Sequence, residues 1–511
     1  MTALVLVTTI VFLFISGLPA TYVVLCRNKK MIVSLYALSP IVGFFILTTI
    51  IKILIGFNIT IDTFSYYLTA ISLLQFSLFS FMVFKKHIEL PQINKTFLIG
   101  SVIVLLVCSL GYLLGGNDVQ GFIRWDMARY TSHAQFYRQF GLNMTYDQIS
   151  HSPWAMWLAG DVHRLTVTTT IGFISSILRI NSSMVTGFYG PLSAWFIYLT
   201  MLLVGRECKL SKYSTLGLAL LAATIPAVST LYTEGFIAAG MAVPFMILGC
   251  FIFAEFIKNP RWGTLIISTL IISTLSTTYT EMLIPLLGIY FIIIIFHLLL
   301  NGINEKKIYM YIIPVITTFL LNFQYLRSVY YVEIFRTLQR DLMGGNTDLD
   351  SIYPYALSAI GIQRNLWGIV WNIPILGVIS SLLVIVSFYG LIQYFLNKKS
   401  LPVLACLALS SIMFVFCSKQ SVQIYQFYRI FTMFVPVLVV GLWFFGNQLI
   451  GVLQESDELT GILSSKKAKR FIELLVKGDQ PGVFIPLPRL DLHGKLLPVR
   501  STGFWNRSLV S

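Results

Sequence analysis

GGNDVQGFIRWDMARYTSHAQFYRQFG, residues 115–141, carries two aspartates, three arginines and a histidine. It follows directly on a nearly charge-free run, 96–115, in a chain that is 56% hydrophobic and only 11% charged. So dense a polar knot is either a solvated break between apolar segments or a site. Its place relative to those segments decides which.

With a mean hydropathy of +0.80, the 511 residues belong to the polytopic membrane class. A soluble fold of this size has too much surface to hide so apolar a composition. Apolar runs of the length a bilayer demands fall at 3–25, 31–54, 64–84, 96–115, 186–204, 214–231, 236–257, 264–279, 282–300, 308–324, 371–395, 401–418 and 430–449. That reading predicts an all-α bundle of thirteen spans.

Lysine and arginine set its orientation. The segments at 26–30, 85–95, 206–212, 258–261, 304–307 and 397–399 hold fifteen of the thirty-six, and nine more follow residue 450. All six segments fall on one face if the thirteen spans hold, which makes that face cytoplasmic, the N-terminus outside and the C-terminus inside. The first span has no basic residue before it and three just after, the pattern of an anchor rather than of a cleaved signal peptide. The net charge of +15 therefore reports topology and contact with anionic lipid, not nucleic acid. Six scattered cysteines without a CxxC predict neither a disulfide nor a structural metal.

Two outer segments, 116–185 and 325–370, are too long to be turns. Shorter outer turns lie near Asp62, Glu234, Glu281 and 419–429. STLYTEG (229–235) and STTYTEM (276–282) repeat one pattern and place Glu234 and Glu281 at corresponding turns. A duplicated helical hairpin and coincidence both explain the echo, and the two glutamates are either site-lining or simply solvated. Beyond 450, SSKKAKRFIELLVKG (464–478) reads as a basic amphipathic helix on the inner leaflet. The span interiors are almost bare of ionisable groups, with Lys52, Arg179 and Glu255 close to span ends. That argues against an ion-coupled pump but leaves a lipid flippase open.

On a helix over 124–140, Asp126, Arg129, Tyr130, His133 and Tyr137 share one face, with Trp125, Ala128 and Phe136 elsewhere. The pattern predicts an amphipathic helix resting on the membrane surface with its polar face towards a cavity. His133, His151 and His163 cluster in the same loop, and Asp118, Asp126, Asp147 and Asp161 match Arg124, Arg129, Arg138 and Arg164 in number. Two ligands could come from DVH (161–163), yet no zinc-type spacing is present. One reading is a salt-bridge network that caps the bundle. The other is a carboxylate general base beside arginines that hold an anionic leaving group. In the second loop, Arg336 and Arg340 stand one helical turn apart and Arg327 precedes them, suited either to gripping a phosphate or to interfacial snorkelling. Tyr425 and Arg429 have a similar pair of readings, sugar stacking or interfacial anchoring.

RWDMARYTSHAQFYRQFG (124–141) resembles the Asp-Glu-x-Arg-Tyr-Ala segment that opens the first outer loop of the GT-C membrane glycosyltransferases. The likeness is to the branch with protein O-mannosyltransferases and bacterial aminoarabinose transferases. There a Pro-Pro-Leu-x-x-Trp-Leu element follows, and HSPWAMWLAG (151–160) matches it at Pro153, Trp157 and Leu158. Met127 replaces the family's glutamate, Ser152 replaces the first proline, and three spans precede the loop where the family has one.

The resemblance implies a three-span addition at 1–95, a catalytic module at 96–450 and a cytoplasmic tail at 451–511. It implies an enzyme of a bacterial inner membrane that transfers one sugar, with inversion, from a polyprenyl-phosphate carrier to a glycan, lipid or protein on the outer face. Asp126 is the implied catalytic residue, which deprotonates or orients the acceptor hydroxyl. Candidate substrate contacts are Asp118, Arg129, Tyr130, His133, Tyr137, His151, Glu234, Glu281, Arg327, Arg336, Arg340, Tyr425 and Arg429. The resemblance fixes no cofactor, and a divalent cation, Mg²⁺ or Mn²⁺, stays open. Two other functions fit the same layout: a lipid-linked glycan polymerase or ligase that relies on the second-loop arginines and His133, and a lipid or polysaccharide transporter.

Overall fold

A computed structural model describes residues 2–26, 32–93, 95–114, 125–141, 164–225, 228, 231, 237–302, 305–323, 325–326, 374–398, 400–419 and 424–455. Every regular element among them is helical. In chain order these are α1 (Thr2–Leu25), α2 (Leu35–Gly56), α3 (Ile61–Phe84), α4 (Lys95–Leu114), α5 (Trp125–Gln139) and α6 (Leu165–Leu178). The four-residue α7 (Ser183–Thr186) leads into α8 (Tyr189–Glu207), α9 (Lys212–Thr224), α10 (Ile237–Lys258), α11 (Trp262–Thr278) and α12 (Leu283–Asn301). Then come α13 (Glu305–Leu321), α14 (Pro374–Lys398), α15 (Leu401–Lys419) and α16 (Ile424–Glu455).

Seven of these stretches are long and apolar enough to cross a membrane: Leu4–Leu25, Leu35–Gly56, Ile61–Phe84, Ser183–Glu207, Ile237–Lys258, Thr280–Asn301 and Met433–Ile450. Shorter apolar helices accompany them on α4, α6, α11, α13, α14 and α15. The segment read as a span at 214–231 is helical from Lys212 to Thr224. Prolines inside α1, α2, α10, α13 and α16 are tolerated because neighbouring helices shield the freed carbonyls.

One apolar core runs from Val5 on α1 to Phe444 on α16, so the first three helices are packed into the same bundle as the rest. α1 and α2 form an antiparallel pair that crosses at glycines. A Cβ at Gly17 would collide with the Ser39 carbonyl, and one at Gly43 with the Leu13 carbonyl. Backbones meet this closely only where side chains are absent. Gly43→Val is therefore expected to destabilise the chain by about 1–3 kcal/mol in denaturant titrations in micelles, the usual cost of overpacking.

Side-chain contacts sort the helix ends into two groups. At one end Arg206 bonds Ser34, Tyr36 Oη donates to Pro91 O at 2.8 Å, Tyr311 Oη to Ile257 O at 3.0 Å and Tyr394 Oη to Cys208 O at 2.8 Å. The six basic segments flank these ends. At the other end Arg138 Nε pairs with Asp62 Oδ1 at 2.9 Å, Ser65 Oγ meets Ser176 Oγ at 2.8 Å and Thr166 Oγ1 meets Thr277 Oγ1 at 2.6 Å. The helix ends beside the basic segments thus lie together, and α5 packs at the opposite end.

Two expectations need correction. The segment 116–185 is not wholly an outer loop, because α6 lies within it and is buried along almost all of its length against α2, α3, α5 and α11. Its sequence, LTVTTTIGFISSIL, is too short for a span and looks half polar. The threonines hide that polarity by bonding back along the helix: Thr169 Oγ1 donates to Leu165 O at 2.6 Å and Thr170 Oγ1 to Thr166 O at 2.8 Å. Nor does α5 lie on a surface with an open polar face. Met127, Tyr130, His133, Ala134, Phe136 and Tyr137 are all buried, on both sides of the helix. It packs on α6, α3 and α7, and closely enough on α6 that a Cβ at Gly172 would stand 2.9 Å from Ala134 O.

Candidate functional site

At the end opposite the basic segments, the last turns of α2 and α11, the first turn of α6 and the residues after α13 converge on one lysine. Lys52 is 7% exposed, in a helix otherwise made of apolar and small residues. Its Nζ lies 3.0 Å from Thr277 Oγ1, 3.1 Å from Asn322 Oδ1, 3.3 Å from Ser273 O and 3.4 Å from Ser273 Oγ. All four are neutral, and among the described residues no carboxylate pairs with it. Asn322 is held in the accepting orientation because its Nδ2 donates to Ser273 Oγ at 2.9 Å and Ser276 Oγ at 3.1 Å. The Thr166–Thr277 hydroxyl pair ties α6 to the same cluster.

An ammonium taken from water into such surroundings is stabilised only in part by neutral dipoles. Ionisable groups at this depth mark functional sites by default. Here the reason is visible: Lys52 lines a cavity of about 330 Å³, together with Leu165, Asn322 and Tyr325 and with apolar walls from Ile53 and Phe323.

Arg164 forms a second tier. It directly precedes α6, next to Leu165 in the cavity wall, and is half-buried. Its Nη1 donates to Tyr130 Oη at 2.8 Å, and its guanidinium stands 5.6 Å from the Tyr130 ring centroid and 5.7 Å from that of Tyr279. Stacking on two electron-rich rings holds a cation in place. Tyr279 caps α11, and the next residue, Thr280, shares a 3.0 Å hydrogen bond with Tyr325 Oη. The lysine cluster, the arginine and helix α5 thus form one continuous polar region.

Asp126 is the second residue of α5, one helical turn before Tyr130. Tyr130 is the predicted contact that joins the region directly. His133 is buried and its Nδ1 donates to Arg129 O at 2.9 Å, while Tyr137 is buried beside Phe136. Burial and packing on α6 hold both. Arg138, counted among the loop's arginines, bonds Asp62 and Ile180 O and latches α5 to α3. Glu281 is exposed in the turn Thr280–Met282. Tyr425 and Arg429 sit in the first turns of α16. Asp118, His151, Glu234, Arg327, Arg336 and Arg340 lie outside the described residues, as do residues 327–370 of the second loop and 456–511 of the tail. Among the described residues no three His, Cys, Asp or Glu side chains come together.

Sequence reasoning passed over Lys52, Asn322 and the tyrosine-stacked Arg164. The signals were present: a lone lysine in an apolar helix, the hydroxyl run STLSTT (273–278), and an asparagine closing the span that faces both. Tyr130→Phe tests the second tier. The ring stays under Arg164 while the hydrogen bond is lost, so unfolding in micelles should show a loss of about 1 kcal/mol, with Tyr130→Ala costing more.

The fold defines a helical membrane protein. The chain matches no protein-family model and no curated protein sequence.

Proposed function

We propose that this protein is a GT-C-type membrane glycosyltransferase of thirteen spans that takes a sugar from a polyprenyl-phosphate-linked donor and passes it to a glycan, lipid or protein on the outer face. The observation that carries the reading is the junction of α5 with the cationic cavity. The helix bearing RWDMARY is bonded through Tyr130 to Arg164, whose neighbour Leu165 shares a cavity with buried Lys52.

In this reading Asp126 removes the proton from the acceptor hydroxyl as its oxygen bonds to the sugar's anomeric carbon. The bond from that carbon to the phosphate oxygen breaks with inversion, and the electron pair leaves on the lipid phosphate. Lys52 and Arg164 supply positive charge where that negative charge develops, beside apolar walls whose low polarity strengthens the interaction. The apolar walls also suit the first isoprene units of the carrier. The same cavity would serve a transporter that carries a lipid phosphate without chemistry. Purified protein supplied with a polyprenyl-phosphate sugar and acceptor separates the two: release of polyprenyl phosphate, abolished by Asp126→Asn, supports transfer, and movement of the lipid without its cleavage overturns it.

A further inference from the structure

We propose that the basic end of the bundle carries a second, separate site, which holds the headgroup of an anionic phospholipid from the inner leaflet. A cavity of about 390 Å³ opens there between the start of α2, the start of α4, the end of α8 and the start of α9. Its polar lining is Arg206, Lys212, Ser34, Tyr36, Gln92 and Thr215. Arg206 is half-buried and its guanidinium bonds Ser34 Oγ, which aims the group across the cavity, while Lys212 is exposed at the rim. Tyr36 Oη donates to Pro91 O and closes one wall.

Charge selects the occupant. Lys209, at the turn between α8 and α9, and Lys95, two residues before Phe97 in the cavity wall, add to Arg206 and Lys212. Glu207, which interacts with Arg206, offsets one of the four, and Glu89 lies three residues before Gln92 in the same basic segment. An extra choline or ethanolamine cation would meet this field unfavourably, whereas a phosphodiester with no counter-cation of its own complements it.

Shape selects a lipid over a free anion. The remaining wall is Phe97, Leu202, Leu203 and Leu210. It continues on to the open apolar face of α4, where Leu98, Ile99 and Val102 are each about half exposed. A phosphate seated on Arg206 and Lys212 therefore leaves its acyl chains along α4, as basic pockets between membrane helices on the cytoplasmic side do for anionic headgroups.

The test is lipid retention by the full chain, purified in detergent with phosphatidylglycerol or phosphatidylcholine and weighed by native mass spectrometry. One phosphatidylglycerol should be retained in preference to phosphatidylcholine. Each cationic residue should contribute about fivefold in affinity, so Lys212→Gln loses about fivefold and Arg206→Gln with Lys212→Gln about 25-fold. Lys212 is exposed and bonds nothing that holds the helices together, so its variant decides if the double variant does not fold. Equal retention of both lipids, or unchanged retention by Lys212→Gln, overturns the proposal. Displacement of the lipid by millimolar inorganic phosphate overturns it too, since the site would then be one for free anions. None of these outcomes depends on sugar transfer.

Discussion

Asp126→Asn is expected to lower sugar transfer about 10²–10⁴-fold, the range that a positioned general base supplies. Asparagine keeps the shape and removes the basic oxygen, so insertion and accumulation should be unchanged. The measurement is release of polyprenyl phosphate by purified protein over time, beside an unfolding curve for the same sample. Transfer retained within a few fold, with the fold intact, would sink the catalytic assignment. Weight would then move to a polymerase or ligase reading, in which Arg336 and Arg340 substitutions abolish activity while Asp126 is dispensable. The departure from the GT-C pattern at Met127 bears on the result. Met127 is buried in the α5 core contact, at 2% exposure. A glutamate in that place would be desolvated against apolar neighbours. Met127 therefore serves packing here, and Asp126 is the one carboxylate in the RWDMARY segment.

How far the sequence led depends on the kind of signal each segment carries. Long apolar helices such as α2, α10 and α12 announce themselves, since nothing but a bilayer or a large core needs twenty apolar residues in a row. The one-sidedness of the basic segments was also legible, because contacts among the described residues bring the helix ends beside them together at one end. α6 was not legible, because hydrophobicity is counted per residue while threonine polarity is cancelled within the helix by bonds to carbonyls three and four residues back. The two faces of α5 misled for a related reason. Tyrosine and histidine look polar in a pattern, yet each carries a ring that packs well in a core, as Tyr130 does with its hydroxyl on Arg164 and His133 with Nδ1 on a carbonyl. The site itself was half visible. The helix that bears it was found from the composition of one loop, whereas Lys52, Ser273, Thr277 and Asn322 are separated by up to 270 positions and only the packing of α2, α11 and α13 joins them.

Lys52→Met is the substitution that separates a binding site from a structural staple. Methionine retains most of the apolar stem and removes the ammonium. If Lys52 only ties α2 to α11 and α13, the loss is one of stability, and affinity for the lipid donor stays as it was. If it holds a lipid phosphate, the substitution removes a charge-assisted contact worth about 1.5–3 kcal/mol, which weakens binding of polyprenyl phosphate about 10–100-fold. Stability should then change little, for two reasons. Asn322 keeps its bonds to Ser273 and Ser276, and Thr277 keeps its bond to Thr166 and to the carbonyls of its own helix. Removal of an ammonium that has no carboxylate partner among the described residues also relieves a desolvation cost. The informative pair of measurements is polyprenyl phosphate affinity by ligand-induced thermal shift and the unfolding temperature without ligand. A variant that binds weakly and unfolds at or above the wild-type temperature assigns Lys52 to the ligand. A variant that binds normally and unfolds early assigns it to the helix junction, and the anion-receptor reading of the cavity then fails.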